Sequence, residues 1–260
     1  MTAHTTALIT GASTGIGATY AERLAQRGHN LVLVARDKVR LDALAQRLHG
    51  EYKVAVDVLP ADLTNQADLA AVETRLRDDA GIDMLINNAG LPQVGGFLQQ
   101  TAEGIERQVT LNTIALTRLA AAVAPRFVQA GAGSIINIGS IVGFAPEFGM
   151  SLYGATKAFV LYLSQGLSLE LAPKGVYVQA VLPASTRTEL WNHLGIDPNT
   201  LTDVMEAGEL VDAALAGFDR RELVTIPALQ VAERWDAREA ARKGLISDLR
   251  PAQVAERYRA

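Results

Sequence analysis

Residues 10–17 of the chain read Thr-Gly-Ala-Ser-Thr-Gly-Ile-Gly, and they follow the apolar residues 7–9, Ala-Leu-Ile. The apolar run is typical of a buried strand, and residues 18–27 have a helical pattern. Glycines between a strand and a helix let the backbone approach a pyrophosphate closely, and the N-terminus of the helix attracts its negative charge. The pattern therefore indicates a dinucleotide site at the end of the first strand.

Apolar runs alternate with helical stretches along the rest of the chain. Continuous apolar runs are typical of parallel strands that are covered by helices on both faces. The later predicted strands are 30–35, 54–59, 84–86, 134–138, 176–182 and 223–226, and the predicted helices include 41–48, 66–79, 102–129 and 153–171. We therefore expect an α/β fold, a doubly wound parallel sheet of the Rossmann type with helices on both faces.

Length and composition favour a single domain over residues 1–260. A chain of 260 residues with 49% hydrophobic residues can bury a large core. We find no repeat, low-complexity segment or linker that would divide it. From about residue 228 the chain is rich in Arg and Glu, which favours a solvated helical end over a binding tail.

Charge and composition exclude several classes of function. A net charge of −4 gives no basic surface for nucleic acid. The chain has no cysteine, so it forms neither a disulfide nor a thiolate metal site, and we expect no metal. The first residues lack a signal-peptide pattern, and no apolar run reaches the length of a membrane span. We expect a cytoplasmic protein without membrane contact.

Tyr153 and Lys157 form a second motif, and Ser140 precedes Tyr153 by thirteen residues. Residues four apart lie on one face of a helix, so the ammonium group can stabilise the phenolate. A phenol with an ordinary pKa near 10 then becomes a proton donor and acceptor near neutral pH. The pair taken alone is also compatible with a solvated helix face.

The order of these motifs resembles that of the short-chain dehydrogenase/reductase family in its single-domain form. The match runs from residue 5 to about residue 190. It includes the glycine turn, Asp62, the Asn-Asn-Ala-Gly segment 87–90, Asn112, Ser140, the pair Tyr153 and Lys157, and the segment 183–188. The resemblance implies an enzyme that transfers hydride between a nicotinamide and a small carbonyl compound or secondary alcohol.

The resemblance also implies a role for each catalytic position. Tyr153 protonates the carbonyl oxygen, Lys157 lowers the Tyr153 pKa and holds the nicotinamide ribose, and Ser140 hydrogen-bonds the substrate oxygen. Asn112 keeps a water for proton relay, and the alternative is a helix-interior polar residue that is satisfied locally.

The end of the second strand predicts the cofactor. An acidic residue there binds the ribose of NAD, whereas an arginine accommodates the 2′-phosphate of NADP. The strand ends in Ala35-Arg36, so Arg36 can pair with phosphate, and NADP(H) is the predicted cofactor. Asp37 follows and could bind the ribose instead if the strand end is misplaced. The expected cofactor contacts are Gly11, Ser13, Thr14, Gly15, Ile16, Gly17, Arg36, Asp62, Leu63, Asn88, Ala89, Gly90, Tyr153, Lys157, Pro183, Thr186 and Thr188.

Two of these positions carry an alternative interpretation. Asp62 precedes a helix, where aspartate is a common N-cap. After the sixth strand the family has Pro-Gly, whereas this chain has Pro183-Ala184. Alanine disfavours a positive φ, so we expect a different local backbone there, with Thr188 still reaching the nicotinamide amide or the pyrophosphate.

The substrate pocket is expected after Ser140 and under a variable lid, residues 187–208. Its apolar and aromatic lining favours a medium, uncharged carbonyl compound over a sugar phosphate. The expected substrate contacts are Ser140, Val142, Phe144, Phe148, Tyr153 and Trp191, with Gly143, Met150, residues 91–94 and His193 nearby. Trp191 could instead pack the lid to the body of the protein.

Two other functions are compatible with these residues. A 3-oxoacyl-thioester reductase needs basic residues at the pocket mouth for its carrier, and only Arg187 is an obvious candidate. A non-catalytic NADP-binding sensor or scaffold would have no need to keep Ser140, Tyr153 and Lys157 together.

Helices 102–129 and 153–171 carry Ala and Leu on more than one face, which indicates a second covered surface. In the family these helices pair with their copies, and this implies a homotetramer, with a dimer as the second possibility. Ordinary core packing is the alternative explanation of the apolar excess.

Overall fold

Strands and helices alternate along the chain, as the apolar pattern predicts. The computed structural model describes residues 5–92, 95–189, 191, 197, 200, 202–249 and 254–259. The strands are β1 (Thr6–Thr10), β2 (Asn30–Ala35), β3 (Val56–Pro60), β4 (Ile82–Asn87), β5 (Ser134–Ile138), β6 (Tyr177–Val181), β7 (Thr186–Arg187), β8 (Met205–Glu206) and β9 (Val224–Thr225). The helices are α1 (Gly15–Gln26), α2 (Lys38–Tyr52), α3 (Gln66–Asp78), α4 (Ala102–Val109), α5 (Leu116–Ala130), α6 (Ser151–Leu171), α7 (Ala207–Asp219) and α8 (Ala232–Asp248).

One parallel sheet has the strand order β3-β2-β1-β4-β5-β6-β9, and β7 pairs with β8 in a separate small sheet. Leu8 of β1 is in register with Val32 of β2 on one side and Leu85 of β4 on the other. The strands that follow β1 are therefore added on both of its sides, β2 and β3 on one and β4, β5, β6 and β9 on the other. In a doubly wound sheet this reversal opens a crevice beyond the carboxyl ends of β1 and β4, where ligands bind. The predicted fold class is confirmed.

Two apolar cores cover the two faces of the sheet. Ile9 of β1 packs in the same core as Leu24 of α1 and Leu215 of α7. Its neighbour Leu8 packs in the other core with Val123 of α5. Successive strand residues point to opposite faces, so two consecutive apolar residues serve two helix layers.

The predicted helical stretch 102–129 is helical throughout, but a π turn divides it into two α-helices. α4 ends at Val109, residues 110–115 form a π turn, and α5 begins at Leu116. The hydroxyl of Thr113 donates to the Val109 carbonyl at 2.6 Å. Single π turns occur mostly at functional sites, and Asn112, which is buried, lies in this one.

The bounds of other elements differ little from the predicted ones. β2 and β5 have the predicted bounds, whereas β3 begins at Val56 rather than at residue 54. α1 begins at Gly15, so the last two glycines of the turn, Gly15 and Gly17, belong to its first turn. α2 begins at Lys38, since the side chain of Asp37 caps its N-terminus.

The chain divides into two compact units, residues 1–227 and 228–260. The second unit contains α8, in which no residue is buried. A helical and exposed end agrees with the prediction from its Arg and Glu content. That both units belong to one domain stays a prediction. Among the described residues, no helix combines the length and the apolar character needed to cross a bilayer.

Candidate active site

Thr10 joins the carboxyl ends of β1 and β4. Its buried hydroxyl accepts hydrogen bonds from the backbone N–H groups of Asn88 at 2.9 Å and Ala89 at 3.0 Å, and it donates to the Ile86 carbonyl at 3.3 Å. The Asn88 side-chain amide donates to the carbonyls of Thr10 at 2.9 Å and Gly11 at 3.2 Å. Both strand ends are thereby fixed beside the glycine turn.

The glycine turn forms a cradle that side chains would fill. A Cβ on Gly17 would lie 2.3 Å from the Gly11 carbonyl oxygen and 2.5 Å from Nδ2 of Asn88. Gly11 and Gly15 have φ angles of +66° and +55°, which other residues rarely adopt. Thr14 precedes α1 and makes no side-chain capping bond to it. This turn and helix N-terminus fit a phosphate group of a dinucleotide.

The segment 183–188 lies against the glycine turn. The Cβ and Cγ2 atoms of Thr188 are 3.2 Å from the position that a Cβ on Gly15 would take. Thr186 is buried, and its hydroxyl donates to the Ala184 carbonyl at 2.9 Å. Ala184, which is among the described residues, does not have a positive φ. The chain accommodates alanine at this position without the strained conformation.

The remaining predicted contacts of the turn differ in their environment. Ser13 is partly buried at the turn. The side chain of Ile16 packs against the core of the α1 face. Ile16 is only partly buried there, so its contact with the cofactor stays a prediction.

Arg36 is exposed immediately after β2, as a role in binding phosphate requires. The carboxylate of Asp37 accepts a hydrogen bond from the backbone N–H of Arg40 at 3.0 Å, and its second oxygen is 3.4 Å from Nε of Arg40. Asp37 is therefore engaged by α2. This engagement weighs against the alternative in which Asp37 binds a ribose.

Asp62 makes a local turn and is not the helix N-cap of its alternative interpretation, because Asn65 caps α3. Oδ1 of Asp62 accepts from the backbone N–H of Thr64 at 3.0 Å and from the Thr64 hydroxyl at 2.7 Å. Burial raises the pKa of the Asp62 carboxyl, but the Thr64 hydrogen bonds and the charges of Arg36 and Arg107 hold it below its usual value. The side chain of Leu63 is buried in the core. The backbone of Leu63 can still reach adenine, and the contact of this residue with the cofactor stays a prediction.

Ser140, Tyr153 and Lys157 come together beyond β5. Nζ of Lys157 lies 5.6 Å from the centroid of the Tyr153 ring and donates to the Ile138 carbonyl at 2.8 Å. The Ser140 hydroxyl shares a hydrogen bond with the Tyr153 side chain. It also lies 3.3 Å from the Pro183 carbonyl, to which it can donate. The three residues that the motifs single out therefore form one cluster.

A close approach between the loop after β5 and α6 makes this cluster possible. A Cβ on Gly143 would lie 2.6 Å from the carbonyl carbon of Lys157 and 2.8 Å from the backbone nitrogen of Ala158. A Cβ on Gly154 would lie 3.0 Å from the Val142 carbonyl oxygen. Glycine at both positions lets the loop that carries Ser140 touch the helix.

Burial sets the direction of both pKa shifts in this cluster. It raises the pKa of Tyr153 to about 12, and the hydrogen bond with Ser140 opposes that rise. It also lowers the pKa of Lys157 to about 8, because loss of water disfavours both charged forms. A lowering of the Tyr153 pKa by Lys157 stays a prediction.

The side chain of Asn112 is fully engaged. Its Oδ1 accepts from the backbone N–H of Leu91 at 2.8 Å, and its Nδ2 donates to the Leu91 carbonyl at 2.9 Å and to Thr156 Oγ1 at 3.1 Å. These contacts favour the alternative in which the side chain is satisfied locally. A relay water at Asn112 stays a prediction.

Three polar residues that the motifs do not single out also build the site. The first is Thr10, whose contacts with the segment after β4 are described above. The Thr156 hydroxyl accepts from the Asn112 side chain and donates to the Tyr153 carbonyl at 2.8 Å. The Gln108 side chain donates to the Leu91 carbonyl at 3.2 Å. Thr10 carries a signal in the sequence, since it ends an apolar strand directly before the turn. The other two are ordinary helix residues in the sequence, and only the fold places them near Leu91 and Tyr153.

Apolar side chains surround the approach to Ser140. Val142 and Phe144 are partly buried, whereas Phe148 is 53% exposed and Met150 is 39% exposed. The indole N–H of Trp191 donates to the Thr186 carbonyl at 2.7 Å, which favours the packing alternative for this residue.

Parts of the predicted pocket and lid lie outside the described residues, among them residues 93–94 and His193. Within the described residues, no group of three or more His, Cys, Asp or Glu side chains is arranged to hold a metal.

Comparison with other proteins identifies relatives by sequence and similar solved structures. The chain is 34% identical over 190 residues to the very-long-chain 3-oxoacyl-CoA reductase-B of Danio rerio, a match that covers 71% of this chain and 60% of that protein. It is 36% identical over 185 residues to an uncharacterized oxidoreductase of Staphylococcus saprophyticus, with 71% of this chain and 79% of that protein covered. The chain thus spans only 60% of the length of the first relative.

Two solved structures are more similar. A short-chain dehydrogenase from Sphingobium yanoikuyae in complex with NADPH is 76% identical, has a TM-score of 0.96 and covers 98% of this chain and 100% of its own. The bulky-bulky ketone specific alcohol dehydrogenase from Comamonas testosteroni is 67% identical, with a TM-score of 0.94 and full coverage of both chains. The short chain dehydrogenase family model matches residues 5–199. The chain belongs to the short-chain dehydrogenase/reductase family of oxidoreductases.

Proposed function

We propose that this protein is an NADPH-dependent reductase of bulky, uncharged ketones that also oxidises the corresponding secondary alcohols. The observation that carries the proposal is the cluster of Ser140, Tyr153 and Lys157 beside the glycine cradle. The two solved relatives support it, because one is described with NADPH and the other as specific for bulky ketones.

Tyr153 acts as the proton donor in the reduction. Its raised pKa keeps the phenol protonated at neutral pH, so a proton is available for the substrate oxygen. Ser140, which hydrogen-bonds Tyr153, can donate a second hydrogen bond to that oxygen and stabilise its developing charge. Lys157 places an ammonium group near both and is anchored by the Ile138 carbonyl. A bound nicotinamide supplies the hydride.

The environment of Arg36 supports NADP(H) over NAD(H). Arg36 is exposed at the end of β2, while the one nearby carboxylate in sequence, Asp37, is engaged by the backbone of α2. Arg36 can pair with a 2′-phosphate, and no acidic residue at the end of β2 is left to accept from a free ribose hydroxyl.

The pocket supports a bulky uncharged substrate. Phe148 and Met150 expose apolar surface near Ser140, which an apolar substituent could cover. The 3-oxoacyl-thioester alternative depends on Arg187 as a basic group for the carrier. Arg187 instead forms an ion pair with Glu206 at 2.7 Å. We therefore prefer the ketone.

Replacing Tyr153 with phenylalanine tests the catalytic assignment. We expect Tyr153→Phe to reduce ketone turnover by about 10²-fold or more, because one proton donor is lost, and to leave NADPH binding nearly unchanged. Steady-state kinetics with a panel of ketones and a fluorescence titration with NADPH provide the measurements. Tyr258→Phe is the control, since Tyr258 is 70% exposed and lies outside the cluster. Near-normal turnover of Tyr153→Phe would disprove the assignment.

Lys157 predicts a pH dependence of stability. Its pKa falls from the usual 10.5 to about 8 on folding, so between these values the unfolded chain binds the extra proton and stability rises with pH. Relative to Lys157→Met, we expect the free energy of unfolding of the unmodified protein to rise between pH 8 and pH 10, by on the order of 3 kcal/mol at most. Urea unfolding at several pH values measures it. A difference between the two proteins that does not change with pH would contradict the burial of this ammonium.

Cofactor preference is tested at the end of β2. We expect the unmodified protein to bind NADPH more tightly than NADH, and Ala35→Asp combined with Arg36→Ser to reverse that order. A carboxylate repels the 2′-phosphate and accepts from a ribose hydroxyl. Titrations with both cofactors decide the point, and tighter binding of NADH by the unmodified protein would exclude the NADP proposal.

We also propose a homotetramer that uses the outer faces of α5 and α6. Ile114 in the π turn before α5 and three residues of α6, Phe159, Tyr162 and Leu169, expose apolar surface, with Tyr162 79% and Leu169 80% exposed. Light scattering at micromolar concentration should give about four times 27.7 kDa. Tyr162→Glu combined with Leu169→Glu should give smaller species, while Val39→Glu on α2 should not. A monomer of the unmodified chain would refute the assembly.

A further inference from the structure

Arg40 joins two sides of the cofactor crevice. Nη1 of Arg40 donates to Oε2 of Glu189, and Nε of Arg40 lies 3.4 Å from Oδ2 of Asp37. Asp37 directly follows Arg36 at the end of β2. Glu189 directly follows Thr188, which contacts the glycine turn. One guanidinium therefore connects the predicted 2′-phosphate site to the first residues of the lid.

The ion pair between Arg40 and Glu189 contributes little to the stability of the fold. Both side chains are about half exposed, Arg40 by 49% and Glu189 by 53%. Water screens such pairs, so their contribution is small. Arg40 can therefore leave Glu189 for a stronger partner with little loss of stability.

The four charged side chains at the predicted 2′-phosphate site have a net charge of zero. Arg36 and Arg40 carry two positive charges, and Asp37 and Glu189 carry two negative charges. Arg36 and Arg107 both act on Asp62, and Lys38 is paired with Asp42 at 2.6 Å. A 2′-phosphate carries close to two negative charges and binds best where positive charge is in excess. Release of one of the two carboxylates would give this excess.

Glu189 is the carboxylate that can be released. Asp37 is held by the backbone N–H of Arg40 as the cap of α2, so it stays with the helix. Glu189 contacts the guanidinium from the other side of the crevice, 149 positions further along the chain. Moving Glu189 away leaves Arg36 and Arg40 opposed only by Asp37, with a net charge of +1.

We propose that Arg40 is a second specificity-determining residue for the 2′-phosphate of NADP(H), and that Glu189 competes with this phosphate for the guanidinium. The inference rests on the NADP(H) dependence of the proposed function. Arg36 supplies a fixed positive charge, and Arg40 supplies one that passes from Glu189 to the phosphate. NAD(H) has no 2′-phosphate, so it gains nothing from this exchange. Discrimination between the two cofactors therefore depends on Arg40 as well as on Arg36.

Equilibrium titrations of the full chain with NADPH and with NADH test the proposal. Arg40→Gln should raise the NADPH Kd about tenfold, since a hydrogen bond to a charged group is lost, and change the NADH Kd less than about twofold. Glu189→Gln should lower the NADPH Kd about threefold and leave the NADH Kd unchanged. The double variant should behave like Arg40→Gln, because Glu189 acts only through Arg40. Arg40→Lys should restore part of the NADPH affinity, since it keeps the charge.

Two control variants match the substitutions. Arg47→Gln removes an exposed, ion-paired arginine from the same helix, and Glu206→Gln removes an exposed, ion-paired glutamate near the lid. Neither should alter the ratio of the two Kd values. Equal effects of Arg40→Gln on NADPH and NADH, or a Glu189→Gln result equal to that of Glu206→Gln, would overturn the proposal. Should Arg40→Gln unfold, the Glu189→Gln result decides alone.

The outcome also separates this inference from the proposed function. If the unmodified protein prefers NADPH and the Arg40 and Glu189 variants keep that preference unchanged, the role of Arg40 is refuted and the function stands. If the unmodified protein binds NADH as tightly as NADPH, both fail together.

Discussion

The hydroxyl of Thr10 fixes the junction on which the rest of the site depends. It binds the backbone of Asn88 and Ala89 and so holds β4 beside the glycine turn. The junction leaves so little room that a Cβ on Gly17 would overlap the Gly11 carbonyl. The backbone ladder between β1 and β4 sets the separation of the two strands, and the contacts of Thr10 then fix the segment that follows β4. The crevice between β1 and β4 is thus defined by one hydroxyl and three glycines.

Desolvation is the second constraint, and it sets the protonation state of the cluster. The phenol of Tyr153 stays neutral because burial penalises the phenolate. The same burial lowers the pKa of Lys157. In the proposed reaction, reduction starts from the protonated phenol and oxidation from the phenolate, so we expect the protonation state of Tyr153 to affect the rate of each direction and not the equilibrium between them.

How far the sequence predicts this site depends on whether a feature is local. Glycines behind an apolar run define the turn at 10–17 by themselves, and β2 follows from its continuous apolar residues. The π turn at 110–115 has no such signal, because it depends on Asn112 bonding to Leu91 and Thr156, which are distant in sequence. The buried position of Leu63 and the raised pKa of Tyr153 likewise come from packing, which no motif encodes. Local motifs identified the chemical groups, and tertiary contacts decided how each group behaves.

Ser140 links the chemistry to the variable part of the pocket. Its hydroxyl contacts the Tyr153 side chain and the Pro183 carbonyl, so the proton donor and the segment after β6 are positioned by the same atom. Beyond Pro183, the pairing of β7 with β8 and the ion pair between Arg187 and Glu206 hold the two ends of the lid together. The two ends of this segment are thereby fixed to each other, apart from the contact between Ser140 and Tyr153. We therefore expect sequence changes between these ends to leave Ser140 and Tyr153 in place.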